Sequence, residues 1–523
     1  MDYKKLKDRY WETREYKDRW LALYKDLYFY VIPDRDATNV KWNYRDDGKP
    51  TTNQAWDYTA VLAAYQRAND LHGLLLPQDR VWGQLVMDPH IFKQEVIDAN
   101  RETMDEMNDR IYFYLNESNL SRVVSASNLD LVGGTGAIWV ESHNDDEPLY
   151  FRSIAAIALY IEYSTDDVLN TCWYQCKMNG RQVKESFPDY KGILLAAITD
   201  SPNDQFIVIY GQIKMAENKF FIYATMEDDQ LTPLFESERS YPQILIYRDR
   251  VRPGEADGRG IGIDLLPQIR DLNRMVEYRS KNYAFKANPP MFYDATSYFN
   301  PYSVRQWSGA MIQRNPQGRN PLEALQMPEY PDTHNTIIDM RAVVLKGFMV
   351  DPLGEIESPV KSATEISIRE ARAQHSTSTD ISRLINELPK QIFEVAAKIL
   401  SERRLLTQDR AATLNFNTRK FKFDYKSPLF DIQKQENLNH FVTSMQIKQQ
   451  FVGQGAAIAS LNLKESNKFI NYNLNLPEKL FASDEQLDGY LKNAADMAQQ
   501  GQLPRPSTSA SPVKLPPPPE VVV

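Results

Sequence analysis

Asp257-Gly258-Arg259-Gly260-Ile261-Gly262 leads into a run, Ile263 to Lys286, in which Leu265, Ile269, Leu272, Val276 and Tyr283 share one face at helical spacing. That period places an apolar stripe on a helix. About 25 helical residues would span about 37 Å at about 1.5 Å per residue. Asn288-Pro289-Pro290 ends the run, because proline lacks the N–H a helix needs. From Met291 to Tyr330 the pattern turns β-like and turn-rich, with Asn315-Pro316-Gln317-Gly318 inside it and Pro328 and Pro331 at its close. Thr333 to Lys346 is helical again, and Gly347 stands where a C-terminal cap belongs. Helix, small β insert and returning helix make a hairpin with a decorated tip, and this unit decides the fold.

On the N-terminal side, residues 2–31 read as one amphipathic helix with Trp20, Leu21, Tyr24, Leu27, Tyr28 and Val31 on a stripe, ended by Pro33. Asp57 to Leu76 is a second helix, its face built from Ala60, Val61, Ala64, Ala68, Leu71 and Leu75 and its end set by Pro77. Ile97 to Leu115 and Asn119 to Leu131 are further helices. Gly133-Gly134-Thr135-Gly136 then turns the chain into a strand, Ala137 to Glu141. As far as residue 250 short alternating runs follow, clearest at Phe206 to Tyr210, Phe220 to Ala224 and Ile244 to Tyr247. Met178-Asn179-Gly180 and Ala216-Glu217-Asn218 read as turns. The fold class is α+β, mainly helical.

On the C-terminal side, Met349 to Ser362 holds Asp351-Pro352-Leu353-Gly354-Glu355 with Glu357 and Lys361, a loop of net charge −2. Ser362-Ala363-Thr364-Glu365 is a capping box that opens the next helix. It is interrupted at His375 to Asp380 and resumes with Ile381, Leu384, Leu388, Ile392, Val395 and Ile399, with Pro389 expected to bend it. A strand at Lys420 to Tyr425 and a helix at Ile432 to Phe451 follow. From Gln499 a Pro-rich stretch, including Lys514-Leu515-Pro516-Pro517-Pro518-Pro519, reads as a disordered tail.

The 523 residues carry 61 Lys+Arg against 70 Asp+Glu, a net charge of −9. Such a chain is no general polycation for nucleic acid, while 42% hydrophobic residues suffice for a packed core. The longest apolar run, Ile154 to Ile161, is far short of the ~20 residues of a membrane span. Met1-Asp2-Tyr3-Lys4-Lys5-Leu6 lacks the apolar core of a signal peptide. Cys172 and Cys176, the two cysteines, fall on a strand with their sulfurs about 13 Å apart at ~3.3 Å per residue, too far for one bridge or one metal.

The chemistry-bearing motifs point away from catalysis. Gly133 to Gly136 has no following Lys-Ser/Thr, and Gly258, Gly260 and Gly262 do not make the dinucleotide fingerprint. The six histidines are scattered, without zinc spacing. Asp145-Asp146, Asp166-Asp167 and Asp228-Asp229 are the acidic pairs a metal-dependent nuclease would use, but adjacent carboxylates in a turn are more often solvated loop charges. Neither a cofactor nor a metal is expected. Arg259, Arg270, Arg274, Arg279, Lys281 and Lys286 on the long helix suit either a phosphate backbone or an ion-paired surface facing another subunit.

The order of these islands resembles the portal, or head-to-tail connector, proteins of short-tailed bacteriophages (podoviruses). It is carried by Asp57-Tyr58, Leu74-Leu75-Leu76-Pro77 through Arg80-Val81-Trp82, Glu117-Ser118-Asn119-Leu120 and Asp130-Leu131-Val132-Gly133-Gly134-Thr135-Gly136. It continues through Gly258-Arg259-Gly260, Leu265-Leu266-Pro267-Gln268-Ile269, Asn288-Pro289-Pro290, Ala363-Thr364-Glu365-Ile366, Glu387-Leu388 and Ser427-Pro428-Leu429. One departure is local: Gly83 follows Trp82 where the family pattern has a bulky aromatic.

The resemblance implies a dodecameric ring at one capsid vertex, with no enzymatic activity of its own. It would conduct double-stranded DNA without sequence specificity during packaging and ejection. Residues 1–257 would be the wing, 258–290 the stem helix, 291–330 the clip, 331–348 the returning stem helix, 349–362 the channel loop, 363–498 the crown and wing return, and 499–523 the tail. Implied partners are terminase, then tail adaptor proteins, with the major capsid and scaffolding proteins around the ring, and no membrane. The implied location is the virion, after assembly in the host cytoplasm. Asp351, Pro352, Gly354, Glu355, Glu357 and Lys361 are the expected channel-loop residues, and Arg270, Arg274, Arg279 and Lys281 the expected DNA- or subunit-facing stem residues. A sliding channel should avoid strong phosphate neutralisation, which tightens binding through counterion release. The chain's net acidity fits that demand. Another virion adaptor ring, or a metal-dependent nuclease, is the alternative.

Overall fold

The computed structural model describes residues 2–33, 35, 55–78, 81–88, 90–142, 147–162, 171–216, 219–287, 291–293, 322–324, 333–348, 383–406 and 421–425, with single positions and short pieces between 438 and 470. It divides into two compact units, Met1–Ser427 and Pro428–Val523. In the second unit 440–448 is helical, and Phe441 packs its ring against Phe469 with centroids 5.5 Å apart.

The first unit begins with two helices where the sequence reads as one: α1 (Tyr3–Asp18) and α2 (Leu21–Tyr30), broken at Arg19-Trp20. The break lets each helix face its own partner. Leu6 and Tyr10 of α1 pack with Tyr160, Trp173 and Tyr223, whereas Tyr24, Leu27 and Tyr28 of α2 enter the central helical core. Next, α3 (Thr59–Leu75) buries the whole expected stripe, Ala60, Val61, Ala64, Ala68, Leu71 and Leu75. After β1 (Gly83–Met87), the helix expected from Ile97 is two, α4 (Gln94–Ala99) and α5 (Arg101–Glu117). Then come α6 (Leu120–Leu131), β2 (Thr135–Glu141), β3 (Tyr150–Ile154), β4 (Leu159–Ile161) and β5 (Thr171–Asn179).

Asn179-Gly180, read as a turn, instead starts a helix, α7 (Gly180–Ser186). The Asn179 side chain accepts from Gln182 N at 2.9 Å and Gln182 reciprocates at 3.0 Å, a complete capping box. Further elements are α8 (Leu195–Asp200), β6 (Gln205–Ala216), β7 (Lys219–Met226), β8 (Phe235–Arg239) and β9 (Ile244–Arg248). Strands β4-β5-β6-β7-β8 form one antiparallel sheet and β3-β2-β9 another. Cys172 and Cys176 sit on β5, buried and free, and burial raises both thiols, Cys176 to about 12.

Side-chain groups close strand edges as a further strand would. Asn108 accepts from Leu85 N at 2.9 Å and donates to Leu85 O at 3.1 Å, and Tyr112 makes both bonds to Gly83 at 2.6 Å. Asn119 does the same for Phe151, at 2.9 Å each way. Edges whose N–H and C=O groups are occupied do not template another chain.

The decisive hairpin is present. α9 (Ile261–Ala287) is followed by β10 (Met291–Tyr293) and β11 (Leu322–Ala324), which pair antiparallel across the ends of the insert, and α10 (Thr333–Gly347) returns. Leu265 near the start of α9 touches Gly347 at the end of α10, so the helices run antiparallel. Gly347 is the last helical residue, not a left-handed cap: a Cβ there would lie 2.4 Å from Leu265 Cδ1, so glycine is set by helix-to-helix approach. The helical run through Pro389 is interrupted at Leu388: 383–387 is helical, and α11 (Pro389–Glu402) starts on the proline, whose missing N–H costs nothing in a first turn. Finally β12 (Phe421–Tyr425) pairs with β1. Ring carbons of Phe423 occupy the space a side chain on Gly83 would need, 2.5 Å from its Cβ position. The bulky group expected after Trp82 is thus supplied from the neighbouring strand, in a cluster with Trp82, Tyr112 and Phe393.

Candidate functional site

The root of α9 is a backbone crossing. The two glycine islands, far apart in sequence, meet there: a Cβ on Gly258 would fall 2.1 Å from Gly134 O, and one on Gly260 the same distance from Val132 O. Gly134 has φ +111°, closed to L side chains in ordinary geometry. The crossing is stitched by Asp249 N to Gly134 O (2.9 Å), Gly262 N to Val132 O (3.0 Å) and Gly258 N to Thr135 Oγ1 (2.9 Å). These glycines are needed for close approach, and the N–H groups of Gly133, Gly134, Gly258 and Gly262 are spent on protein carbonyls and a hydroxyl.

Charges clamp the same root from several sides. Lys17 Nζ lies 2.5 Å from Asp257 Oδ1, with the side chains 4% and 1% exposed, and stacks over the Tyr24 ring. Arg250 pairs with Asp264 at 2.8 Å. The Arg248 guanidinium is 3.2 Å from Glu387, whose carboxylate also accepts from Arg248 N at 2.7 Å. Burial pushes the Glu387 carboxyl up, with Arg248 opposing the shift, and raises buried Asp130 in the same way against Arg35, 3.1 Å away. Higher on the hairpin, Asn273 of α9 accepts from Trp56 N (2.7 Å) and Asp57 N (3.2 Å), while Arg341 of α10 pairs with Asp57 at 2.7 Å. One short segment thereby pins both helices.

The far half of α9 is different. Gly262, Ile263, Leu266, Ile269, Leu272 and Asn273 are buried, and no residue from 274 to 287 is. Tyr278, Tyr283 and Phe285 are 63%, 58% and 47% exposed there. Of the basic residues singled out from sequence, Arg270 spends its charge on Asp26 of α2. Arg279 stacks on Tyr283, 5.5 Å from its centroid, and Lys281 bonds Glu277 at 2.6 Å, which raises the ammonium pKa. Arg274 is exposed. Tyr283, expected on the buried stripe, faces out because the returning helix packs against the root half of α9, through Ile337, Val344 and Phe348.

Asp351, Pro352, Gly354, Glu355, Glu357 and Lys361 lie outside the described residues, as do Asp145-Asp146, Asp166-Asp167 and the capping box at Ser362. Asp228 and Asp229 do not act together: Asp228 is exposed, and Asp229 is buried, accepting from Tyr190 Oη at 2.8 Å. Among the described residues no group of three His, Cys, Asp or Glu is arranged to hold a metal, and no helix is long and apolar enough to cross a membrane. Lys17 carries no sequence signal of its own, and Asp57, Arg248, Asp257 and Glu387 stand in the sequence only as parts of motifs, with nothing to show that their charges are paired. Their partners lie far along the chain, and a lone charge within an amphipathic pattern looks like any solvated one.

No curated protein matches the chain. Among solved structures, it is similar to a chain in the neck of an empty GTA particle computed with C6 symmetry, at 8% identity and a TM-score of 0.33, over 79% of this chain and 90% of that one. The model of the bacteriophage head to tail connecting protein family matches residues 3–480. With nearly its whole length matched, the chain belongs to that family.

Proposed function

We propose that this head-to-tail connecting protein is a portal: a ring at one capsid vertex, the conduit for DNA in packaging and ejection. In this reading it docks first terminase and then tail adaptor proteins, and it sits among the major capsid and scaffolding proteins. The family is structural rather than catalytic. The observation that carries the reading is the outer half of α9, residues 274–287, where aromatic and basic side chains alternate and none is buried. An isolated helix of that length is marginal in water, and exposed aromatics mark a contact surface. Copies of the same chain in a ring supply the missing cover, and the basic side chains then meet either the neighbouring copy or DNA phosphates.

The α9–α10 hairpin is the proposed stem, 291–330 the clip, 349–362 with Asp351, Glu355 and Glu357 the channel loop, 1–257 the wing, and 363–498 the crown and wing return. The working location is the virion, after assembly in the host cytoplasm. Electron microscopy and native mass measurement of the purified chain test this. Rings of about twelve copies with a central channel are expected, and a chain that stays monomeric at every concentration would sink the reading.

A further inference from the structure

Helix α3 has two faces. The alanine-rich stripe is turned to the core, and the helix packs against α6 and α10. The other face runs from Tyr58, at the N-cap, through Leu62, Gln66 and Asn69 to Gly73, all exposed and on one strip at 3- and 4-residue spacing. No charged side chain lies on that strip, whereas the solvent face of an amphipathic helix is normally charged. Leu62 is 68% exposed and Tyr58 44%. Gly73 is an independent sign. Glycine inside a helix is less stable than alanine, and beyond its own helix a Cβ here would meet nothing within 4 Å. Bare backbone facing open space suits the close approach of another helix.

Charge and position select the occupant. Asp70, exposed at the edge of the strip, is its nearest carboxylate, while Arg67 turns inward to Asp249 and Phe348 O and is 14% exposed. The exposed half of α9 has the opposite sign, with Arg274, Arg279, Lys281 and Lys286 against Glu277. The two surfaces are contiguous on the chain: Trp56, 43% exposed and just ahead of Tyr58, donates its N–H to Asn273, the last buried residue of α9. A ring joins identical copies head to tail, so each copy presents two different surfaces to its neighbours. We propose, resting on the ring reading above, that the α3 strip receives the exposed half of α9 from the adjacent copy. The incoming helix packs over Leu62 and Gly73, and its cations reach Asp70.

Cross-linking and assembly of the full-length chain test this. A photo-reactive residue at Asn69, in a mixture of isotope-labelled and unlabelled copies, should join residues 274–287 of another copy. Cross-links confined to Pro428–Val523, to a different surface of a second copy or to the same chain, or none between copies, overturn the proposal. Gly73→Gln fills the open space without meeting the rest of its own chain. Its helical circular dichroism should match the unaltered chain, while half-assembly in native mass spectra moves to about tenfold higher concentration or more. Rings at the original concentration would also overturn it, and should this variant not fold, the cross-link decides alone. An unaltered chain that forms no rings fails the ring reading itself; rings with cross-links elsewhere fail only the α3 contact.

Discussion

Lys17 and Asp257 are 240 positions apart and form a buried ion pair at 2.5 Å, which fastens the end of the first helix to the residue just before the glycine crossing. Removing one partner leaves an uncompensated buried charge, which costs about 3–5 kcal/mol. Asp257→Ala should lower stability by that order in chemical unfolding. Lys17→Met with Asp257→Leu should recover most of it, since apolar replacement of a whole buried pair is often neutral. A double variant as unstable as the single one would show that the pair is not the cause.

Glycine matters at the crossing for lack of room, and this can be separated from glycine as such. Gly258→Ala and Gly260→Ala push a methyl to 2.1 Å from a carbonyl oxygen and should cost about 1–3 kcal/mol or more, as overpacking does. Gly73, inside α3, has open space around its Cβ position; Gly73→Ala should stabilise by about 0.5–1 kcal/mol. Parallel thermal melts read the opposite signs.

His72 gives stability a slope below pH 6.5. Its Nε2 lies 3.0 Å from Ser121 Oγ, its Nδ1 is buried without a partner, and burial lowers its pKa from 6.5. The unfolded chain then binds a proton that the folded chain resists, so stability is intact above pH 6.5 and is lost as pH falls through the lowered value. His72→Gln should flatten this part of the stability–pH curve. An unchanged curve would assign the slope to other groups.

Assembly should depend on the far half of α9. Replacing Tyr278, Tyr283 and Phe285 together by Ser removes exposed apolar surface without touching a buried residue. The expected product is a folded chain with unchanged helical circular dichroism that no longer forms rings in native mass spectra. Rings of normal size would place the subunit contact elsewhere.

The Gly83–Phe423 exchange offers a swap. Phe423→Ala should cost about 3 kcal/mol, the low end for losing a packed phenyl ring. Adding Gly83→Phe to Phe423→Gly returns a ring to the same space from the other strand and should be more stable than Phe423→Gly alone. Denaturant midpoints compare the two directly.

How much was legible follows from the range over which each signal acts. The α3 stripe and the α9–insert–α10 hairpin were readable because helical period and proline stops are local. The split at Arg19-Trp20 was not, because it answers to two different tertiary partners. Gly347 was read as a cap and is a contact, a difference visible only once Leu265 is beside it. The glycine islands at 133–136 and 258–262 each read as a turn and a helix entry, yet nothing in either announces the other. The same holds for the charges at the root: Glu387 was noticed as part of a motif, but its bond to Arg248 spans 139 positions.

The backbone crossing also acts mechanically, as a fulcrum. With no side chains between its two strands of chain, it has no soft layer to absorb a rotation, so whatever turns the sheet turns the helix. The 27 residues of α9 extend about 40 Å from that point at about 1.5 Å per residue. A tilt of about 5° at the glycines therefore carries the far tip by about 3–4 Å, roughly the radius of an aromatic contact. A small adjustment around Gly134 and Gly258 would, on that geometry, be magnified at Tyr283 and Phe285.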